Sequence, residues 1–161
     1  MDVDELPAMF DEIINRVINT CPACALSMAH TFRNQLKNVT LVMYSHAAGT
    51  RTPSPAGVGP PATVSGDLRR SVLAWMGASG VVSTAYSGPT IFYAPIQEYG
   101  GQMWHRRFQY MHFMYDGPQW RKHVVVPERP YMGKALAAVI GNGSLQADVM
   151  EIFMIGVWGG T

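Results

Sequence analysis

The chain has 161 residues, the size of one domain able to bury about 70% of its unfolded surface. Twelve basic against eleven acidic residues leave a net charge of +1, which excludes the basic surplus of a dedicated nucleic-acid binder. Hydrophobic residues make up 48% and charged ones only 14%, against about 25% in an average soluble domain, so a core is expected, with surface that something other than water covers.

No apolar run reaches the roughly 18–20 residues of a membrane span. The start, Met1-Asp-Val-Asp-Glu-Leu6, is acidic where a secretory signal is basic, so the chain is expected to begin in a cytoplasm. Two cysteines are too few for a disulfide framework of the secreted kind.

Residues Leu6 to Asn38 read as a long helix with Phe10, Ile13, Ile14, Val17 and Ile18 at helical spacing. Pro22 is expected to kink or break it, with Thr20 capping a second segment that carries Ala25, Leu26, Ala29, Phe32 and Leu36. Val39 to Tyr44 is β-branched and apolar and reads as a strand. Ser45 to Thr63 then forms a long Pro/Gly-rich connection, of the kind that is either functional or disordered. Ser65 is read as the cap of a short helix with Leu68, Val72, Trp75 and Met76 on one face, ended by Gly77 and Gly80. Val81 to Tyr86 and Thr90 to Tyr93 read as strands around a Ser87-Gly88-Pro89 turn.

An aromatic strand from Gln102 to Tyr115, the turn Asp116-Gly117 and a return strand from Trp120 to Val126 make a long hairpin over 101–126. Pro127 and Pro130 stop the sheet, and Pro130 starts a helix through Ile140. Asn142 or Ser144 caps a last helix with Leu145, Val149, Ile152 and Phe153, and no structure is expected from Gly156 onward. Hairpin connections without regular βα alternation give an α+β fold: one domain over 1–161, with a long N-terminal helix and shorter helices packed on an antiparallel sheet.

Three constellations invite chemistry. Cys21-Pro-Ala-Cys24 is a C-x-x-C, but redox domains place that motif at a helix start after a strand, and here it follows a helical pattern. A zinc site needs two further ligands that the spacing does not supply. Two small, mostly buried helix residues is the favoured reading, with a thiol-redox domain as the alternative from another class. The five histidines form no H-x-x-x-H or H-E-x-x-H pair, and neither a G-x-S-x-G elbow nor a phosphate loop occurs, so no enzyme is expected. The set His105, Arg106, Arg107, Arg121, Lys122 and His123, interleaved with Trp104, Phe108 and Trp120, has the character of a nucleic-acid surface. The neutral net charge favours a hairpin that is solvated or touches a protein partner.

Three further segments carry a resemblance when taken together. Ser54 to Val72 ends a Pro/Gly-rich loop in Gly66-Asp-Leu68-Arg69-Arg70-Ser71. Tyr93-Ala-Pro-Ile-Gln-Glu98-Tyr-Gly100-Gly101 follows, and then Val126-Pro-Glu-Arg129-Pro130-Tyr-Met-Gly-Lys-Ala-Leu136. In order and spacing, over about half the chain, they resemble the tail-completion and head–tail neck family of tailed bacteriophages, also called virion morphogenesis proteins. The long hairpin, the C-x-x-C and Tyr131-Met132 in place of the common Phe-Leu depart from the family pattern.

The resemblance implies a structural virion protein. It would form a ring of six or twelve subunits in the neck, with adjacent head-closure or connector and tail-terminator or tail-tube proteins as partners. Genome DNA would pass through the lumen without sequence recognition, no cofactor or metal would be needed, and assembly would occur in the host cytoplasm. A tail-terminator ring is the neighbouring alternative. The loop over 45–63 (Arg51, Pro53, Pro55, Pro60, Pro61) and the hairpin (Trp104, Arg106, Arg107, Trp120, Arg121) are expected to reach neighbouring subunits. Arg69, Arg70 and Glu98 are expected to pair within or between subunits, or else to be surface charges worth under about 1 kcal/mol each. Gly66, Leu68, Ser71, Tyr93, Gly100, Arg129 and Pro130 are expected to hold the fold, with Arg129 anchoring the sheet to the following helix.

Overall fold

The structure, a computed structural model, describes residues 6–43, 57, 59–61, 65–78, 82–104, 111–114 and 118–159. Its architecture is α+β. Helix α1 (Leu6–Asn38) runs for 33 residues, about 50 Å at 1.5 Å per residue. It does not break at Pro22, which lies inside it. Thr20 is not a cap: its hydroxyl donates back to the Arg16 carbonyl at 2.7 Å, one turn earlier. Pro22 forfeits one helical hydrogen bond, and contacts with the last helix hold α1 on both sides of it. Before Pro22, Arg16 Nη1 donates to the Val157 carbonyl at 3.3 Å; after it, Thr31 donates to Asp148.

That last helix, α5 (Ser144–Trp158), continues three residues, Gly156 to Trp158, into the tail where the sequence pattern gives no structure. Asn142 Oδ1 accepts the Ser144 N–H at 3.0 Å and so satisfies one donor at its start. The extension follows from packing. Val157 is buried, and Gly156 lies so close to α1 that a Cβ there would stand 2.2 Å from Thr20 Oγ1. Small buried residues on α1, namely Thr20, Cys24, Ala25 and Ala29, permit the approach.

The core proper gathers Leu36, Leu41, Val72, Tyr131 and Ala135, with Phe32, Leu68 and Met132 against them. The expected strand at Val39–Tyr44 is a 3-10 turn over Thr40–Val42. The Val39 N–H donates to the Gln35 carbonyl at 3.1 Å, so helical bonding carries past α1 and drops Leu41 into the core. A short apolar run does not by itself separate strand from buried turn.

Helix α2 is only Asp67–Arg70, and its expected continuation is strand β1 (Val72–Met76). Alternating burial from Val72 inward to Leu73 outward marks the switch of period. β1 pairs antiparallel with β2 (Ala85–Pro89), Val72 opposite Pro89 and Met76 opposite Ala85, and Trp75 stacks on Tyr86 at 5.8 Å. Ser87, Gly88 and Pro89 therefore sit in a strand, where a terminal proline on a two-stranded ladder is tolerated. The segment expected as a second strand at Thr90–Tyr93 is the turn into helix α3 (Ala94–Tyr99), with Pro95 in its first turn.

The long hairpin is present as two antiparallel ladders: β3 (Gly101–Trp104) with β6 (His123–Val126), and β4 (Met111–Met114) with β5 (Pro118–Arg121). Its turn at Asp116-Gly117 lies outside the described residues. Helix α4 (Met132–Gly141) follows. In place of one continuous antiparallel sheet, the described strands form three separate two-stranded ladders.

The Gly156 contact sets the α1–α5 spacing. Gly156→Ala is expected to lower stability by about 1–3 kcal/mol through overpacking, and adding Thr20→Ala should recover most of the loss. Urea midpoints of the two single variants and the double variant measure this, and additive effects would show that the two positions do not meet.

Candidate functional site

Three chain segments converge on Tyr131, whose side chain is 1% exposed. The first turn of α4 has N–H groups with no acceptor inside the helix. Glu98 Oε2 accepts two of them, from Tyr131 at 2.7 Å and Met132 at 3.0 Å, and its charge suits the positive end of the helix dipole. The Tyr131 hydroxyl returns to α3, donating to the Ala94 carbonyl at 3.2 Å. Burial, then the nearby Glu98 carboxylate, pushes the Tyr131 hydroxyl well above the ordinary tyrosine range.

The residues beside this centre tie the same elements. Gly100 has φ +68° and sits against the chain after β6, where a Cβ would lie 2.7 Å from the Glu128 nitrogen and 2.9 Å from the Val126 carbonyl. No other residue fits both the conformation and the space. Buried Arg129 donates its backbone N–H to the Gln97 carbonyl at 2.8 Å and Nη1 to the Pro127 carbonyl at 3.3 Å. Pro130 is half-buried just ahead of Tyr131. The Gly57 N–H donates to the Glu128 carbonyl at 2.8 Å.

Arg69 Nε donates to the Lys37 carbonyl at 2.7 Å, satisfying the C-terminal end of α1. Arg70 pairs with Asp67 on the surface, and hydrogen bonds from Ser65 first and Arg70 second hold the Asp67 carboxyl below its usual range. Gly66 precedes α2, half-buried Leu68 packs on the core, and the Ser71 carbonyl accepts from Thr90 N at 3.1 Å. Half-buried Tyr93 is raised by burial first and the Asp67 carboxylate second.

Part of the expected contact set is turned inward. Glu98 and Arg69 close helix ends within the chain. Pro60 is fully buried rather than reaching outward, and Pro61 is half-buried on the wall of a cavity of about 380 Å³. Leu41, Leu68, Tyr93, Ile96, Met103 and Val126 make that cavity largely apolar. Arg51, Pro53, Pro55, Arg106 and Arg107 lie outside the described residues. Trp104, Trp120 and Arg121 are exposed on the hairpin, where the Trp104 ring lies 4.8 Å from His123.

Cys21 and Cys24 are free and sit mid-helix, and Cys24 Sγ faces the Val149 carbonyl at 3.9 Å. Burial first and Cys21 second push the Cys24 thiol up, against the lowered thiol that redox chemistry needs. Among the described residues no cluster of three or more His, Cys, Asp or Glu could hold a metal ion.

Sequence periodicity missed the open apolar surface. Met150, Met154 and Trp158 form an exposed stripe on α5, and Leu136 and Ile140 are exposed on α4. The signal was present: α5 has apolar residues on every face, the pattern of a helix covered all round. Comparison with protein-family models, with curated proteins and with solved structures finds no match to the chain.

Glu98→Ala is expected to cost about 1–3 kcal/mol because two helix-end donors lose their acceptor, and Glu98→Gln much less. A loss confined to assembly, with unchanged unfolding of the isolated chain, would remove the capping role. Tyr131 gives a pH dependence. Its folded-state deprotonation is displaced upward, so its contribution is complete below pH about 10, the unfolded tyrosine value, and declines as pH rises beyond it. Urea midpoints from pH 8 to 11 should fall more steeply for the wild type than for Tyr131→Phe; parallel curves would contradict this.

Proposed function

We propose that this chain is a non-enzymatic structural subunit of a tailed-bacteriophage neck, forming a ring that joins the DNA-filled head to the tail. The observation that carries the reading is α5. One side of it packs on α1, and the other presents Met150, Met154 and Trp158 to solvent at spacings of four residues. A helix that is apolar on both sides belongs between two partners, and extended apolar surface of this kind marks an interaction face. Exposed Trp104 and Trp120 on the hairpin add to it. No described helix is long and apolar enough to cross a membrane.

The family-like segments support the same reading. Gly66 to Ser71, Tyr93 to Gly101 and Val126 to Leu136 are joined by Glu98, Gly100, Tyr93 and Arg129, so the segments that carry the resemblance are also ones that hold this fold together. Such a ring takes heterologous contacts between identical chains.

Quantitative mass spectrometry of purified particles is expected to find about six to twelve copies per particle, as a closed ring supplies. Electron microscopy of the same particles then separates a neck position from a tail-terminator position. Absence of the protein from intact particles would end the proposal.

A further inference from the structure

Exposed charge is polarised along α1. Near its start, Asp11 and Glu12 are exposed beside the exposed side chains of Phe10 and Ile14. Glu12 pairs with Arg16 at 2.6 Å, and with Asp11 the described start of the helix holds two carboxylates against that one arginine. Exposed Trp158 belongs to the same end, since the carbonyl of its neighbour Val157 accepts from Arg16. This end is acidic and apolar.

The root of the hairpin lies at the other end of the helix, about 50 Å away. There Arg69 closes the C-terminus of α1, and Leu41 and Arg69 share a cavity wall with Met103 of β3 and Val126 of β6. From that root the hairpin presents Trp104, Trp120, Arg121, Lys122 and His123, all exposed. Between residues 104 and 123 the sequence contains one carboxylate, Asp116. This end is basic and aromatic.

We infer that copies of this chain associate head to tail, the acidic N-terminal end of α1 in one copy meeting the basic hairpin of the next. The inference names the contact within the ring proposed above and rests on that reading only for closure of the ring. Isologous pairing through either end would set like charges face to face, which electrostatic complementarity disfavours, whereas head-to-tail pairing matches them. Exposed ion pairs contribute little affinity each. They choose the orientation and speed the encounter, while Phe10, Ile14 and Trp158 against Trp104 and Trp120 supply the apolar contact.

The test is sedimentation of the full chain at low salt, with two charge-reversed variants checked for folding by circular dichroism. One carries Asp11→Lys and Glu12→Lys, the other Arg121→Glu and Lys122→Glu. Each alone is expected to self-associate at least about tenfold more weakly than the wild type. An equimolar mixture is expected to recover association, because it contains one native contact and one with both charges swapped. Unchanged association in either variant, failure of the mixture to recover, or a wild type that sediments as a monomer throughout would overturn the inference.

If a reversal unfolds the chain, the wild type decides: association must weaken between about 50 and 500 mM salt, and strengthening would overturn it. Retention of duplex DNA by the wild type, lost in Arg121→Glu/Lys122→Glu with self-association intact, would assign the hairpin to nucleic acid instead. Incorporation into particles with charge-insensitive association would remove this contact and leave the ring reading standing. Recovery by mixing in a protein absent from particles would do the reverse.

Discussion

Helix α4 begins with backbone donors that have no partner within the helix, and one carboxylate oxygen of Glu98 accepts from two of them. That contact fixes α4 on α3, and the Tyr131 hydroxyl, returning to Ala94, fixes the two a second time. With Tyr131 held, its ring fills the centre of a core that Leu36 and Leu41 approach from the end of α1 and Val72 from the first strand. Gly100 then permits the chain after β6 to pass within contact of the turn after α3. Buried Tyr131 must stay neutral for all of this, and its raised ionisation is the electrostatic expression of that demand.

Two of the charged residues in the motifs serve the ends of helices. Arg69 completes the C-terminus of α1 and Glu98 the N-terminus of α4, so both are matched to dipoles inside their own chain. A small domain with little charge to spare uses it where backbone groups would otherwise be buried without partners. What stays exposed is apolar surface on α4, α5 and the hairpin, together with the charge of Asp11 and Glu12 near the start of α1 and of Arg121 and Lys122 on the hairpin.

Long elements were legible in the sequence because their periodicity is sustained. The bounds of α1 and the pairing of the hairpin arms follow from it. Short ones were not. Val39–Val42 and Thr90–Tyr93 are apolar and β-branched, yet hydrogen bonds to α1 and to Ser71 set their course. Pro22 reads locally as a break, and tertiary contacts with α5 override it. The site was legible only as motifs. Glu98 and Tyr131 are 33 positions apart, and nothing in either segment alone says that one caps the helix beginning beside the other.

The two ladders of the hairpin are out of step. Trp104 faces His123 and Met111 faces Arg121, so six residues separate the ladders on one strand and a single residue on the other. Pairing therefore cannot propagate as one uninterrupted zipper from root to tip, and the inner rungs beside Gly100 are insulated from changes in the outer ones. A hairpin divided in this way is modular. Its outer segment can lengthen, shorten or change sequence while the root keeps its register, so the two parts are free to vary separately.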